Sequence, residues 1–101
     1  WSVHAANLTT GVHRVLAAAQ PGTHGLQPLP VLRHGIAAWA QPVPGGEAEL
    51  VAVDLAGDTR RVLDTGRVTS PAYAGADLVW GNVDVACVLP SGSTFAIQAR
   101  L

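Results

Sequence analysis

The side chains best able to do chemistry in this sequence are four histidines, one cysteine and seven carboxylates. His4, His13, His24 and His34 all fall in the first third of the chain, which raises the question of a metal centre. Their spacings of nine, eleven and ten residues match no helix-face or short chelating pattern of the kind that holds zinc. On adjacent strands His4 and His13 could meet as a cross-strand pair; otherwise they are exposed or hydrogen-bonded imidazoles. No metal ligand is assigned. There is no Gly-x-Ser-x-Gly elbow, so a hydrolase-type nucleophile is not in this chain. Nor is there a phosphate-cradling glycine loop, since Pro44-Gly45-Gly46-Glu47 reads as a turn between strands. Cys87 alternates with Val83, Val85 and Leu89, which marks a buried structural thiol rather than a nucleophile. Being single, it excludes an internal disulfide and a multi-cysteine metal framework. The expectation is a chain without catalytic residues and without a cofactor.

Charge narrows the partners. Six arginines and no lysine face five aspartates and two glutamates, for a net charge of −1. That gives no electrostatic footprint for nucleic acid or an anionic membrane. No apolar run approaches the roughly 20 residues that cross a bilayer, and no signal peptide opens the chain. With no methionine present, Trp1 is not a natural translation start. Hydrophobic residues are 49% of the chain and charged ones 13%, half the usual share, which excludes intrinsic disorder. The low charge has two readings. One is a coding preference for Ala, Val, Leu and Gly over Lys; the other is that both faces of the strands are covered.

The elements that must carry these residues are strands. Val51-Ala52-Val53-Asp54-Leu55, Asp77-Leu78-Val79-Trp80, Val83 to Leu89 and Phe95-Ala96-Ile97 are short, apolar and rich in β-branched residues. Eleven glycines and seven prolines interrupt the chain often enough to leave little room for an ordinary helix. The helix-like stretch Gly11 to Gln20 is assigned to strand, because it repeats a segment that reads as strand. The fold class is all-β.

That repeat is the strongest signal in the sequence. Ala5 to Leu16 aligns without a gap on Ala52 to Leu63, at an offset of 47 residues, with Ala, Leu, Arg, Val and Leu identical and Asn7 facing Asp54. Pro30 to Trp39 aligns on Pro71 to Trp80 at an offset of 41. Ile97 to Leu101 fits Val51 to Leu55 at an offset of 46. A period in the forties made of four short strands is that of a β-propeller blade.

Three pieces carry a family resemblance: Ser70, Pro71, Gly75, Leu78, Val79 and Trp80; the strand Leu50 to Leu55; and Thr59 to Leu63. Together they resemble the blades of TolB-like β-propellers, which are similar to the propellers of prolyl-oligopeptidase-type enzymes. The resemblance covers almost the whole chain through short motifs. The WD-repeat pattern is not matched, because Trp39 is followed by Ala40 and Trp80 by Gly81. Where the TolB turn has Asp-Gly, this chain reads His34-Gly35 and Ala74-Gly75.

The resemblance implies antiparallel four-stranded blades in an incomplete propeller. Residues 1–101 form part of one domain, with units of about 1–16, 28–63 and 70–101, the first and last partial. Strand A falls at Leu29 to Leu32 and Ser70 to Tyr73, strand B at Ile36 to Ala40 and from Leu78 onward. Strand C falls at Ala48 to Leu55 and strand D at Thr59 to Leu63. Asn7 and Asp54 close strand C by bonding the next turn, with Gly11 and Gly57 supplying positive φ. Trp39 and Trp80 pack the core in equivalent positions, and Arg60-Arg61 is a solvated strand edge. Two repeats plus one strand favour a piece of a longer propeller over a self-assembling tile.

Function in such a fold lives on the loops of one face, because the strands are occupied in packing. The D-to-A and B-to-C connections share that face. Their polar groups make Glu47, Arg67, Asn82 and Asp84 the candidate binding residues. From Trp80 to Ala96 the last unit carries five extra residues, as a longer hairpin or a ligand-contacting loop. Two function classes follow. One is a non-catalytic scaffold for a protein or peptide partner; the other is the propeller domain of a larger hydrolase whose catalytic residues lie elsewhere. The family resemblance implies an extracytoplasmic setting in bacteria. The partners expected are further propeller blades, of the same or other chains, and the isolated chain is not expected to be a stable monomer.

Overall fold

The structure is a computed structural model that describes residues 1–23, 27–89 and 92–100, and beyond Val83 it describes the backbone alone. Nine antiparallel strands run through it: β1 (Ser2–Ala6), β2 (His13–Ala18), β3 (Val31–Arg33), β4 (Ile36–Pro42), β5 (Ala48–Asp54), β6 (Thr59–Gly66), β7 (Ala72–Ala74), β8 (Asp77–Leu89) and β9 (Gly92–Arg100). They form a two-stranded sheet (β1-β2), a four-stranded meander (β3-β4-β5-β6) and a three-stranded sheet (β7-β8-β9). The helix-like stretch after Gly11 is strand β2, paired along its length with β1.

The pairing repeats the sequence offsets residue by residue. Arg33 faces Ile36 and Val31 faces Ala38; 41 residues on, Ala74 faces Asp77 and Ala72 faces Val79. Ala5 faces Arg14 and His4 faces Val15; 47 residues on, Ala52 faces Arg61 and Val51 faces Val62. The irregularity recurs too, between Val3 and His4 and again between Leu50 and Val51. In each hairpin it leaves one leucine, Leu16 or Leu63, without a counterpart in the register, as a β-bulge does.

The turns follow from local chemistry. The Asn7 side-chain oxygen accepts from the backbone N–H groups of Thr9 and Thr10, and an Asp54 oxygen accepts from Ala56 and Gly57 at the corresponding places. Positive φ falls at Gly11, as expected, but at Asp58 rather than Gly57. Asp58 is the true counterpart of Gly11 at offset 47, and a short polar side chain tolerates the left-handed region. His34 and Gly35 both have positive φ (50° and 76°), which makes a two-residue turn whose twist suits a hairpin. Its counterpart is Gly75-Ala76, one residue later than the Ala74-Gly75 of the sequence reading, because Ala74 is held in the ladder opposite Asp77.

Two further boundaries shift. Strands β3 and β7 begin at Val31 and Ala72, just after Pro30 and Pro71, which have no N–H to give a ladder. In the last hairpin Trp80 faces Gln98, whereas Trp39 faces Val51, so the offset there is 47 and not 46. A one-residue slip in register exchanges the two faces of a strand.

The middle sheet is buried on both sides, as its unbroken apolar strands predict. One face, with Ala38, Ala40, Leu50 and Ala52, packs on Val68, Leu78 and Trp80 and, at its edge, Tyr73. The other, with Ala37, Trp39, Val51 and Val53, packs on Val3, Leu16, Ala17 and Trp1. Trp39, Leu50 and Val51 are fully buried, each worth roughly 1.5–3 kcal/mol or more in transfer from water.

Tyr73 ties the third sheet to the second: its hydroxyl donates to the Ile36 carbonyl at 2.7 Å. Burial raises its pKa above the usual 10, and the nearby Arg33 charge opposes this only in part. The folded state therefore holds the phenolic proton more tightly than the unfolded chain. Its stabilising effect is complete below pH 10 and is lost as pH rises through the elevated folded pKa. As Tyr73 is the only tyrosine, tyrosinate absorbance should titrate above 10 in the native protein and return to the ordinary value in urea. A native midpoint at or below the urea value would refute this account of the joint.

Candidate functional site

One end of the stacked sheets carries the β4–β5 turn and the β6–β7 connection, because Pro42, Ala48 and Gly66 stand side by side in the register. Glu47 and Arg67 are both here and both exposed. The Val43 N–H donates to the Glu47 carbonyl at 3.0 Å, closing a turn whose Gly45 and Gly46 both have positive φ. The Glu47 carboxylate is left in solvent. Arg67 contributes its backbone to the fold, its carbonyl accepting from the Val83 N–H at 3.1 Å, and keeps its guanidinium exposed.

Asn82 behaves differently from the loop residue expected. It lies inside β8, opposite Ala96, because the extra residues of the last unit lengthen a hairpin instead of forming a loop. Its amide donates to an Asp64 carboxylate oxygen and to the Thr65 carbonyl, both at 3.1 Å. The Trp80 indole donates to the same Asp64 oxygen at 2.8 Å. Gly66 makes room for this clasp: at φ +118° it is strained for any other residue, and a Cβ would stand 3.4 Å from the Asn82 side-chain oxygen. Asn82 is therefore a joint between β6 and β8. Asp84 is likewise a strand residue, opposite Thr94, and its side chain lies outside the described residues, as do His24 and the side chain of Cys87.

The equivalent indole on the middle sheet finds another partner. Trp39 donates to the Gln41 side-chain oxygen at 2.8 Å, and Gln41 donates to Glu49 at 2.8 Å. Ala17 stands where Asp64 would be needed, so the buried N–H is satisfied within its own sheet.

The opposite end holds an open cleft of about 560 Å³ between the β1–β2 and β5–β6 turns, lined by Asn7, Thr10, Val12, Arg14, Gly35 and Leu55. Arg14 spans it, donating to the Leu55 carbonyl at 2.6 Å and pairing with Asp58 at 3.0 Å. The ion pair is well exposed and contributes little by itself; the bond to the carbonyl fixes the first sheet on the second. No site role was read for Arg14 in the sequence, although its identity with Arg61 at offset 47 was a signal. Arg60, expected as a solvated edge, is exposed and also reaches the Leu16 carbonyl at 3.3 Å.

His4 and His13 do meet across β1 and β2, with His4 Nδ1 and His13 Nε2 2.7 Å apart and Ser2 Oγ 2.6 Å from His4 Nε2. Serine, imidazole and imidazole in series have the spacing of a proton relay, but all three are exposed to water, where developing charge gains little from fixed dipoles. Among the described residues no three metal-ligating side chains converge. No protein-family model, curated protein or solved structure matches the chain.

Proposed function

We propose that the three sheets are consecutive blades of a TolB-like β-propeller and that the chain is a non-catalytic interaction scaffold. It holds a protein or peptide partner against the end that carries Glu47 and Arg67. The observation that carries this is the recurrence of hairpin register at offsets of 41 and 47, bulge included, in sheets that stack face to face. Stacked repeats spend their strands on packing and leave ends and loops for recognition.

Further strands of the same kind, from this or another chain, are the second partner. Strand β5 is paired on both edges, whereas its counterpart β1 pairs only with β2 among the described residues. Beside that open edge Leu32 is 64% exposed. A strand of the β4 type added along β1 would complete the ladder and cover Leu32.

Selection of a random peptide library on the protein tests the recognition end. Binders should lose about 10-fold or more in affinity to an E47K/R67E variant, as expected for charge-assisted hydrogen bonds. They should bind an Arg14→Ala variant unchanged, since Arg14 lies at the other end. Binders indifferent to Glu47 and Arg67, or none at all, would remove the basis of the proposal.

A further inference from the structure

We propose that His4 and His13 form a two-imidazole chelate for a late first-row divalent cation, Cu²⁺ foremost, then Ni²⁺ or Zn²⁺, with Ser2 as the group that orients it. The proposal stands apart from the scaffold reading. The hairpin builds the pair. His4 faces Val15 and His13 faces Ala6, so the two histidines are diagonal neighbours on one face, within reach of long side chains. Their rings are 5.0 Å apart between centroids and tilted by 52°, and His4 Nδ1 points at His13 Nε2.

The packing of this fold does not call for imidazoles there. In the middle sheet the position of His4 is taken by Val51, fully buried against the first sheet. On the first sheet the same face looks outward and is exposed, and it carries Ser2, His4 and His13 together. Two nitrogens bound to one cation at about 2.0–2.1 Å stand about 2.9–3.4 Å apart for bond angles of 90–109°. From the observed 2.7 Å, chelation needs an opening of a few tenths of an ångström. The rings must also turn by about 35–45° in all, so that both lone pairs converge on the ion instead of lying along the N···N line. That movement is open to two exposed side chains.

Protons balance without a co-reactant. The ion takes the place of the proton shared by Nδ1 and Nε2. A neutral pair moves that proton to the outward ring nitrogen that lacks one. In a charged pair both outward nitrogens already carry protons, so the shared proton is released to solvent. In the bound state His4 Nε2–H donates to Ser2 Oγ, so Ser2 holds the tautomer that leaves Nδ1 free to ligate, as outer partners of metal-bound histidines do. Water completes the coordination shell. Imidazole ligands and the general order of divalent affinities place Cu²⁺ first.

Titration with CuCl₂, read by calorimetry and by electron paramagnetic resonance, tests this. One ion per chain with two equivalent nitrogens is expected. His4→Gln and His13→Gln should each weaken binding about 100-fold, because the second imidazole acts at a high effective concentration. Ser2→Ala should weaken it about 10-fold with both nitrogens retained. All three positions are exposed, so circular dichroism should be unchanged in the variants. A combined H24Q/H34N variant should bind as the parent does. A chain amine acting with His4 alone would leave binding intact in His13→Gln, and that result, like a single-nitrogen spectrum, would overturn the proposal.

Discussion

Trp39→Ala should cost about 3–5 kcal/mol, the largest loss expected from any single truncation in this chain. Trp39 has no exposed surface and lies between Val51 and Val53 of its own sheet and Val3 of the first. Removing the indole empties that contact and leaves the Gln41 oxygen, itself buried, without its donor. A domain of this size has only about 5–15 kcal/mol to lose, so the variant should be largely unfolded at modest urea. Trp39→Phe separates the two losses: it retains most of the volume and should cost about 1–3 kcal/mol for the unpaired acceptor. Urea unfolding followed by circular dichroism measures both. A Trp39→Ala midpoint within experimental error of the parent would show that the two-sided core does not govern stability.

Self-association is the second expected result. Among the described residues only a two-stranded hairpin covers the Trp39 face of the middle sheet, and Leu32 and Val62 remain in water at its two sides. Covering ~600 Å² of such apolar surface is worth about 15 kcal/mol gross at ~25 cal/mol per Å². The freedom lost on association costs about 4–15 kcal/mol, so burial on that scale offsets the cost at its upper end and favours partnered strands below it. Analytical ultracentrifugation of the isolated chain at micromolar concentration should show oligomers or precipitation, and Leu32→Lys should shift the distribution towards monomer. A cooperatively folding monomer, indifferent to Leu32→Lys, would refute the proposed pairing at β1.

Much of the fold was legible because it is local. Glycine and proline spacing, β-branched segments and the gapless match of Ala5–Leu16 to Ala52–Leu63 set the strands and the hairpin register, since turn chemistry at Asn7 and Asp54 is decided within a few residues. Low charge and unbroken apolar strands foretold a sheet buried on both sides. The pairing of His4 with His13 was visible as a possibility, because strands nine residues apart in a hairpin bring diagonal positions together.

What only the tertiary structure decided was the use of the polar groups. Asn82 looked like a loop residue free to bind, yet it is spent on Asp64 and Thr65, because β8 continues past Trp80 into a long hairpin. Trp39 and Trp80 read as equivalent, yet their indoles bond different partners, since one faces Ala17 across the joint and the other Asp64. Arg14 gained its carbonyl contact only when the first sheet was laid on the second. Secondary structure and register depend on period and turns, which a sequence displays. Partners across sheets depend on where each face comes to rest, and offsets along the chain carry no such distance.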